Sequence, residues 1–124
     1  MEKKILVFEN KVLRKICGPV LDPESGLWRR RYNKELRQMT GQEEISVFIK
    51  CQRLKWAGHL ARMDCGEYPK RAFLNEEDGK RSVGRPRLRW RDGVKEDAGR
   101  EDWREVAEDR KEWINLIEEA KNRL

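Results

Sequence analysis

Apolar residues are scarce in this chain of 124 residues. They make up 37% of it against 42% charged, so little apolar area is available to offset chain entropy, and the sequence sits near the edge of what folds alone. No stretch approaches the roughly 20 apolar residues of a membrane helix. The run Ile5-Leu6-Val7-Phe8 is far too short for a secretory signal core, and charged residues precede it. Cysteine is sparse and odd in number: Cys17, Cys51 and Cys65 form no recognisable disulfide framework. These absences predict an intracellular protein, nuclear or cytoplasmic, with reduced thiols and no membrane partner.

Catalytic constellations are missing as well. Histidine occurs once, at His59, without a convincing serine or cysteine partner, and no glycine-rich loop is present to cradle a phosphate. No Asp-Asp pair occurs, and Asp64, Asp78, Asp92 and Asp97 are separated from one another, whereas a two-metal polymerase needs paired aspartates to hold its ions. No enzyme activity, cofactor or small-molecule substrate is expected. Cys51, His59 and Cys65 have a spacing that resembles part of a zinc knuckle, but structural zinc sites take four ligands. If residues 43–63 form one helix, Cys51 and His59 lie about 12 Å apart along it. The cysteines then read as small apolar fillers and no metal site is expected. Strand signals are absent too: no sustained apolar/polar alternation with turn pairs occurs.

What is present is helical periodicity. Five tryptophans, Trp28, Trp56, Trp90, Trp103 and Trp113, argue against plain disorder. Ile5, Phe8, Val12, Leu13 and Ile16 form a stripe over 2–17, ended by Gly18-Pro19. After the turn-like segment 22–26, a helix is predicted over 27–39, with Trp28, Tyr32, Leu36 and Met39 on one face. A third spans 43–63, lined by Ile45, Phe48, Ile49, Gln52, Trp56, Leu60 and Met63, with Gly58 inside it permitting close packing or a kink. Residues 64–82 are loop-like, with room for a short helix at 70–74. A fourth helix is expected from Pro86 to Ala98. The last carries Trp103, Val106, Ala107, Trp113, Ile114, Ile117 and Ala120 in period, with Asp102 as N-cap and Glu105 completing a capping box. The expected fold is all-α: a small domain, or two loosely joined units, of about four to five helices with a long basic loop between the third and fourth. Its predicted regions are a basic helical region 1–63, a basic linker 64–85 and a helical pair 86–124.

Charge is unevenly spread. Residues 92–124 hold eleven acids and seven bases, a net of −4, so residues 1–91 carry +10 of the total of +6. A basic body suggests a polyanion partner, RNA or DNA. Lys80, Arg81, Arg85, Arg87, Arg89 and Arg91 fall in one stretch without an acid, the pattern expected for salt-sensitive phosphate contact. Gly84-Arg85-Pro86 adds the centre of a minor-groove AT-hook, although Val83 replaces the usual preceding arginine. Arg29, Arg30 and Arg31 form a second basic face, beside which Trp28 and Tyr32 either stack on bases or belong to the core stripe. The alternative for all these cations is a solvated helical surface.

Several blocks are familiar in order. Phe8-Glu9-Asn10-Lys11-Val12-Leu13-Arg14-Lys15-Ile16 and Gly18-Pro19-Val20 come first. Trp28-Arg29-Arg30-Arg31-Tyr32-Asn33-Lys34-Glu35-Leu36 and Arg53-Leu54-Lys55-Trp56-Ala57-Gly58-His59-Leu60-Ala61-Arg62-Met63 follow. Gly79-Lys80-Arg81, Gly84-Arg85-Pro86, Arg89-Trp90 with Asp92, Asp102-Trp103-Arg104, and Asp109-Arg110 to Trp113 complete the set. Together they resemble the C-terminal region, beyond the polymerase domain, of insect-type non-LTR retrotransposon endonuclease/reverse-transcriptase polyproteins. The resemblance implies a nucleic-acid-binding appendage that grips template or target near an upstream polymerase domain, with both catalytic regions upstream of Met1. No catalytic residue is carried over. A helical protein-interaction module, or a decayed element copy without selected function, is the alternative.

Overall fold

The computed structural model describes residues 2–74, 83–84 and 89–123. Among them lie α1 (Glu2–Cys17), β1 (Val20–Leu21), β2 (Trp28–Arg29), α2 (Asn33–Thr40), α3 (Ile45–Arg62), α4 (Tyr68–Leu74), α5 (Trp90–Ala98), α6 (Trp103–Glu108) and α7 (Arg110–Arg123). The fold is predominantly α-helical, as the periodicity predicts. The helices are more numerous than expected, α1 falls on the predicted 2–17, and a small sheet joins them. Contacts divide the chain into two compact units, Met1–Ile49 and Lys50–Leu124. The boundary falls inside α3, so residues 50–63 belong with the C-terminal helices in the second unit.

In the first unit, α1 stops at Gly18, which adopts φ +68° and returns its N–H to the Arg14 carbonyl at 3.0 Å, the left-handed closure that glycine permits. The segment 22–26 is a hairpin loop. Asp22 holds it with both carboxylate oxygens, on the Glu24 N–H at 3.3 Å and the Ser25 hydroxyl at 3.0 Å. It joins β1 to β2 antiparallel, with Val20 opposite Arg29 and Leu21 opposite Trp28. The helix expected from residue 27 therefore begins only at Asn33. Strands of two residues are too short to show alternation, which is why the sequence concealed them.

Polar ties dominate this unit. The Tyr32 N–H donates to Glu35 Oε2 at 2.7 Å at the start of α2, one half of a capping box. Arg37 on α2 forks onto Glu9 of α1 at 3.1 and 2.5 Å, and Glu9 also accepts the Ile45 N–H at 3.3 Å. Among the described residues of the unit only Leu36 is buried. The α1 stripe is largely outward: Phe8, Val12 and Ile16 are 64%, 37% and 75% exposed.

The second unit holds the core: Cys51, Leu54, Ala57 and Leu60 of α3, Val94 and Ala98 of α5, Trp103 and Ala107 of α6, and Trp113, Leu116, Ile117 and Ala120 of α7. The face of α3 that turns inward overlaps the predicted one only in part: Leu60 is buried as expected. Phe48, Ile49 and Trp56 remain exposed while the small residues Ala57 and Gly58 are buried. The cause is the close approach of Trp113. Its indole N–H donates to the Leu54 carbonyl at 2.9 Å, and a Cβ placed on Gly58 would lie 2.1 Å from Trp113 Nε1. Large side chains on that face would keep the indole away.

The C-terminal helix is divided, contrary to expectation. Asp109 is extended (φ −84°, ψ 117°) and separates α6 from α7. Its carboxylate accepts the N–H groups of Lys111 and Glu112 at 2.7 and 3.2 Å, so the side-chain N-cap is here. Asp102 makes no side-chain cap; Arg100 takes its carboxylate at 2.9 and 2.8 Å. The start expected at Pro86 lies outside the described residues, and α5 begins at Trp90.

Candidate nucleic-acid interface

The turn that ends α1 brings two basic segments together. Lys11, Arg14 and Lys15, spaced along one side of α1, line a groove of about 300 Å³ with Gly18 and Pro19, and Arg30 and Arg31 close it from beyond β2. Five cations face one concavity and no carboxylate lines it. Continuing the strand register one step past Val20–Arg29 sets Pro19 opposite Arg30, which explains how residues eleven positions apart share the groove.

Two of the guanidinium groups are oriented by the backbone. Arg31 Nε donates to the Gly18 carbonyl at 3.1 Å, and Arg14 Nε donates to the Arg31 carbonyl at 3.1 Å. Arg14 also bonds the Asn33 side chain. These contacts anchor the two arginines through neutral carbonyl acceptors, while the charge of Arg31 also acts on the Glu35 carboxylate. Lys11, Lys15 and Arg30 are exposed, and none pairs with a described acid. The unit contains ten bases and seven acids, a net of +3, and none of those acids lines the groove.

Arg29 is on the other side of the account. It forks onto Glu35 at 3.0 and 2.7 Å and its guanidinium lies 4.6 Å from the Tyr32 ring centre. Arg29's hydrogen bonds hold the Glu35 carboxyl down from 4.5 to about 2, and Glu35 in return raises the Arg29 pKa. Of the three adjacent arginines the structure therefore brings Arg30 and Arg31 to the groove and clamps Arg29 elsewhere. Lys11, Arg14 and Lys15 were missed by sequence reasoning. Their signal was a four-residue basic spacing on α1, legible only once the hairpin folds against it.

The second basic stretch is less defined. Lys80, Arg81, Arg85 and Arg87, with the AT-hook-like centre Gly84-Arg85-Pro86, lie outside the described residues apart from Gly84. Arg89 and Arg91 are half-buried, and each has an intramolecular partner. Arg89 is the N-cap residue of α5 and its backbone N–H donates to Asp92 at 3.3 Å.

Other cations serve the architecture of the second unit. Lys70 donates to the Ala61 and Met63 carbonyls at 2.7 and 2.8 Å, closing the C-terminus of α3. Arg62 donates to the Ala107 carbonyl of α6 at 2.6 Å, and Arg123 to the Asp97 carbonyl of α5 at 3.0 Å. Arg53 reaches the buried Asp97 carboxylate at 2.7 Å over Gly93, where a Cβ would lie 2.7 Å from its Nη1. Helix C-termini expose carbonyls and carry partial negative charge, so these cations are held inside the fold.

No metal-binding cluster of three or more His, Cys, Asp or Glu is found among the described residues. Cys51 is buried, Cys65 exposed, and His59 packs against Trp56 with ring centres 5.2 Å apart. No helix among the described residues is long and apolar enough to cross a membrane.

No protein-family pattern matches the chain, and no solved structure matches it. It is similar to an uncharacterised protein of Caenorhabditis elegans described as transposon-derived, with 27% identity over 128 aligned positions covering 94% of this chain. The chain spans 44% of that relative's length, so what it resembles is part of a longer transposon-derived protein.

Proposed function

We propose that this chain is a non-catalytic nucleic-acid-binding segment from the C-terminal region of a non-LTR retrotransposon reverse-transcriptase polyprotein. The observation that carries the binding role is the groove between α1 and the hairpin, where Lys11, Arg14, Lys15, Arg30 and Arg31 converge without a lining carboxylate. A sugar-phosphate chain suits such a groove because its charge repeats and releases counterions on contact. The ordered sequence blocks and the transposon-derived relative support the parentage. The chain itself supplies no catalytic group in this proposal. The stretch 80–91 adds further positive charge.

Binding of labelled RNA or DNA, followed by fluorescence anisotropy across a salt series, tests this. Affinity is expected to fall steeply with salt. The triple variant Lys11→Ala, Lys15→Ala, Arg30→Ala is expected to bind more weakly and to lower the log–log salt slope by roughly 0.7–0.9 per lost phosphate contact. An unchanged slope and affinity in that variant would remove the groove from the proposal. Substituting Lys80, Arg81, Arg85 and Arg87 by Ala measures the second stretch separately.

A second reading, a helical interaction module, is favoured by one observation. Phe8, Val12 and Ile16 form an exposed row at four-residue spacing on α1, an apolar face of the kind that packs on another protein. Phe8→Glu and Ile16→Glu would abolish concentration-dependent self-association in sedimentation if this face pairs copies of the chain.

A further inference from the structure

We propose that the groove selects single-stranded over duplex nucleic acid, with Trp28 as a platform on which one base stacks; this rests on the nucleic-acid reading above. Three observations lead there. Trp28 is 69% exposed, more than any other described tryptophan, which leaves a large ring face open to solvent. It stands opposite Leu21 in the hairpin, one register pair from Val20–Arg29 and two from Pro19–Arg30. Strand alternation places residues two apart on the same face about 7 Å apart. Trp28 thus shares a face with Arg30, which lines the basic groove.

The neighbouring aromatic is not equivalent. Tyr32 already carries the Arg29 guanidinium 4.6 Å from its ring centre, and Arg29 is fixed there by Glu35. Trp28 has no ring or cation partner among the described residues. An indole beside a phosphate-binding groove can take the face of a base whose phosphate lies in the groove. Only an unpaired strand offers that face, since duplex bases are stacked on each other. Stacking reads no base edge, so it is sequence-tolerant.

The test uses the full chain, with labelled oligothymidylate, oligouridylate and a blunt duplex of the same phosphate count, at low salt. Each single strand is expected to bind about tenfold or more tightly than the duplex. Trp28→Ala should weaken strand binding about tenfold, within the range reported for one base–aromatic stack, and leave duplex binding unchanged. Trp28→Phe, which keeps a ring, should retain most of the strand affinity. Similar loss in the Ala and Phe variants, an unaltered strand affinity in Trp28→Ala, or equal wild-type affinity for strand and duplex each overturns the inference while leaving general binding intact. Absence of binding to all three probes overturns the nucleic-acid reading with it.

Discussion

Gly58 and Trp113 decide how closely two helices of the second unit approach. The indole occupies the space a side chain would fill, and its N–H finds a carbonyl on α3. Glycine costs about 1 kcal/mol of helix propensity against alanine, yet Gly58→Ala is expected to destabilise the protein. The new methyl forces the indole outward, at an overpacking cost of about 1–3 kcal/mol, and strains a buried hydrogen bond. A net loss of about 2 kcal/mol should appear as a lower urea midpoint with unchanged m-value. Greater stability in that variant would contradict the close approach. At the same scale, Glu35 has a folded pKa near 2, below its ordinary 4.5, because Arg29 and the Tyr32 N–H both bond its ionised form. Glu9 is lowered likewise, first by its hydrogen bond from Arg37. A depressed carboxylate contributes fully above its unfolded pKa and loses that contribution as pH falls towards the folded value. The first unit should therefore lose stability as pH drops from about 4.5 towards 2. Glu9→Gln with Glu35→Gln should flatten this acid slope in circular dichroism melts. Glu35→Gln should also loosen Arg29 and raise affinity for a polyanion.

Elements in the second unit are joined end to side by cations. Lys70 closes α3, Arg62 closes α6 and Arg123 reaches the last turn of α5. Each satisfies carbonyls that a helix leaves unbonded at its end. Arg62→Ala removes a part-buried charge-assisted bond and is expected to cost about 1.5–3 kcal/mol, read as a lower thermal midpoint, with nucleic-acid affinity at permissive temperature unchanged. Weaker binding by the folded variant would reassign Arg62 to the interface. The break at Asp109 belongs to this scale too. The apolar period from Trp103 to Ala120 continues through it, so periodicity alone suggested one helix. Asp109 caps a new one because its carboxylate reaches two free N–H groups.

For the molecule as a whole, a net charge of +6 does not say which cations are free to meet a polyanion. Arg29, Arg37, Arg53 and Arg100 are paired with acids, and Lys70, Arg62 and Arg123 with carbonyls. The measured salt slope should therefore track the groove cations and the stretch 80–91, not total charge. The all-helical class, the stop at Gly18-Pro19 and most of the buried positions near the C-terminus followed from local patterns, because helix period and chain stops act over a few residues. Arg30 and Arg31 were legible as candidates for the same reason. The inward face of α3, the hairpin, the fate of Arg29 and the gathering of Lys11, Arg14 and Lys15 were decided by tertiary structure alone. Each depends on what approaches from a distant part of the chain: an indole that needs a glycine, a strand that needs a partner, a carboxylate within reach of a guanidinium. Such choices are set by proximity in space, which no local spacing encodes.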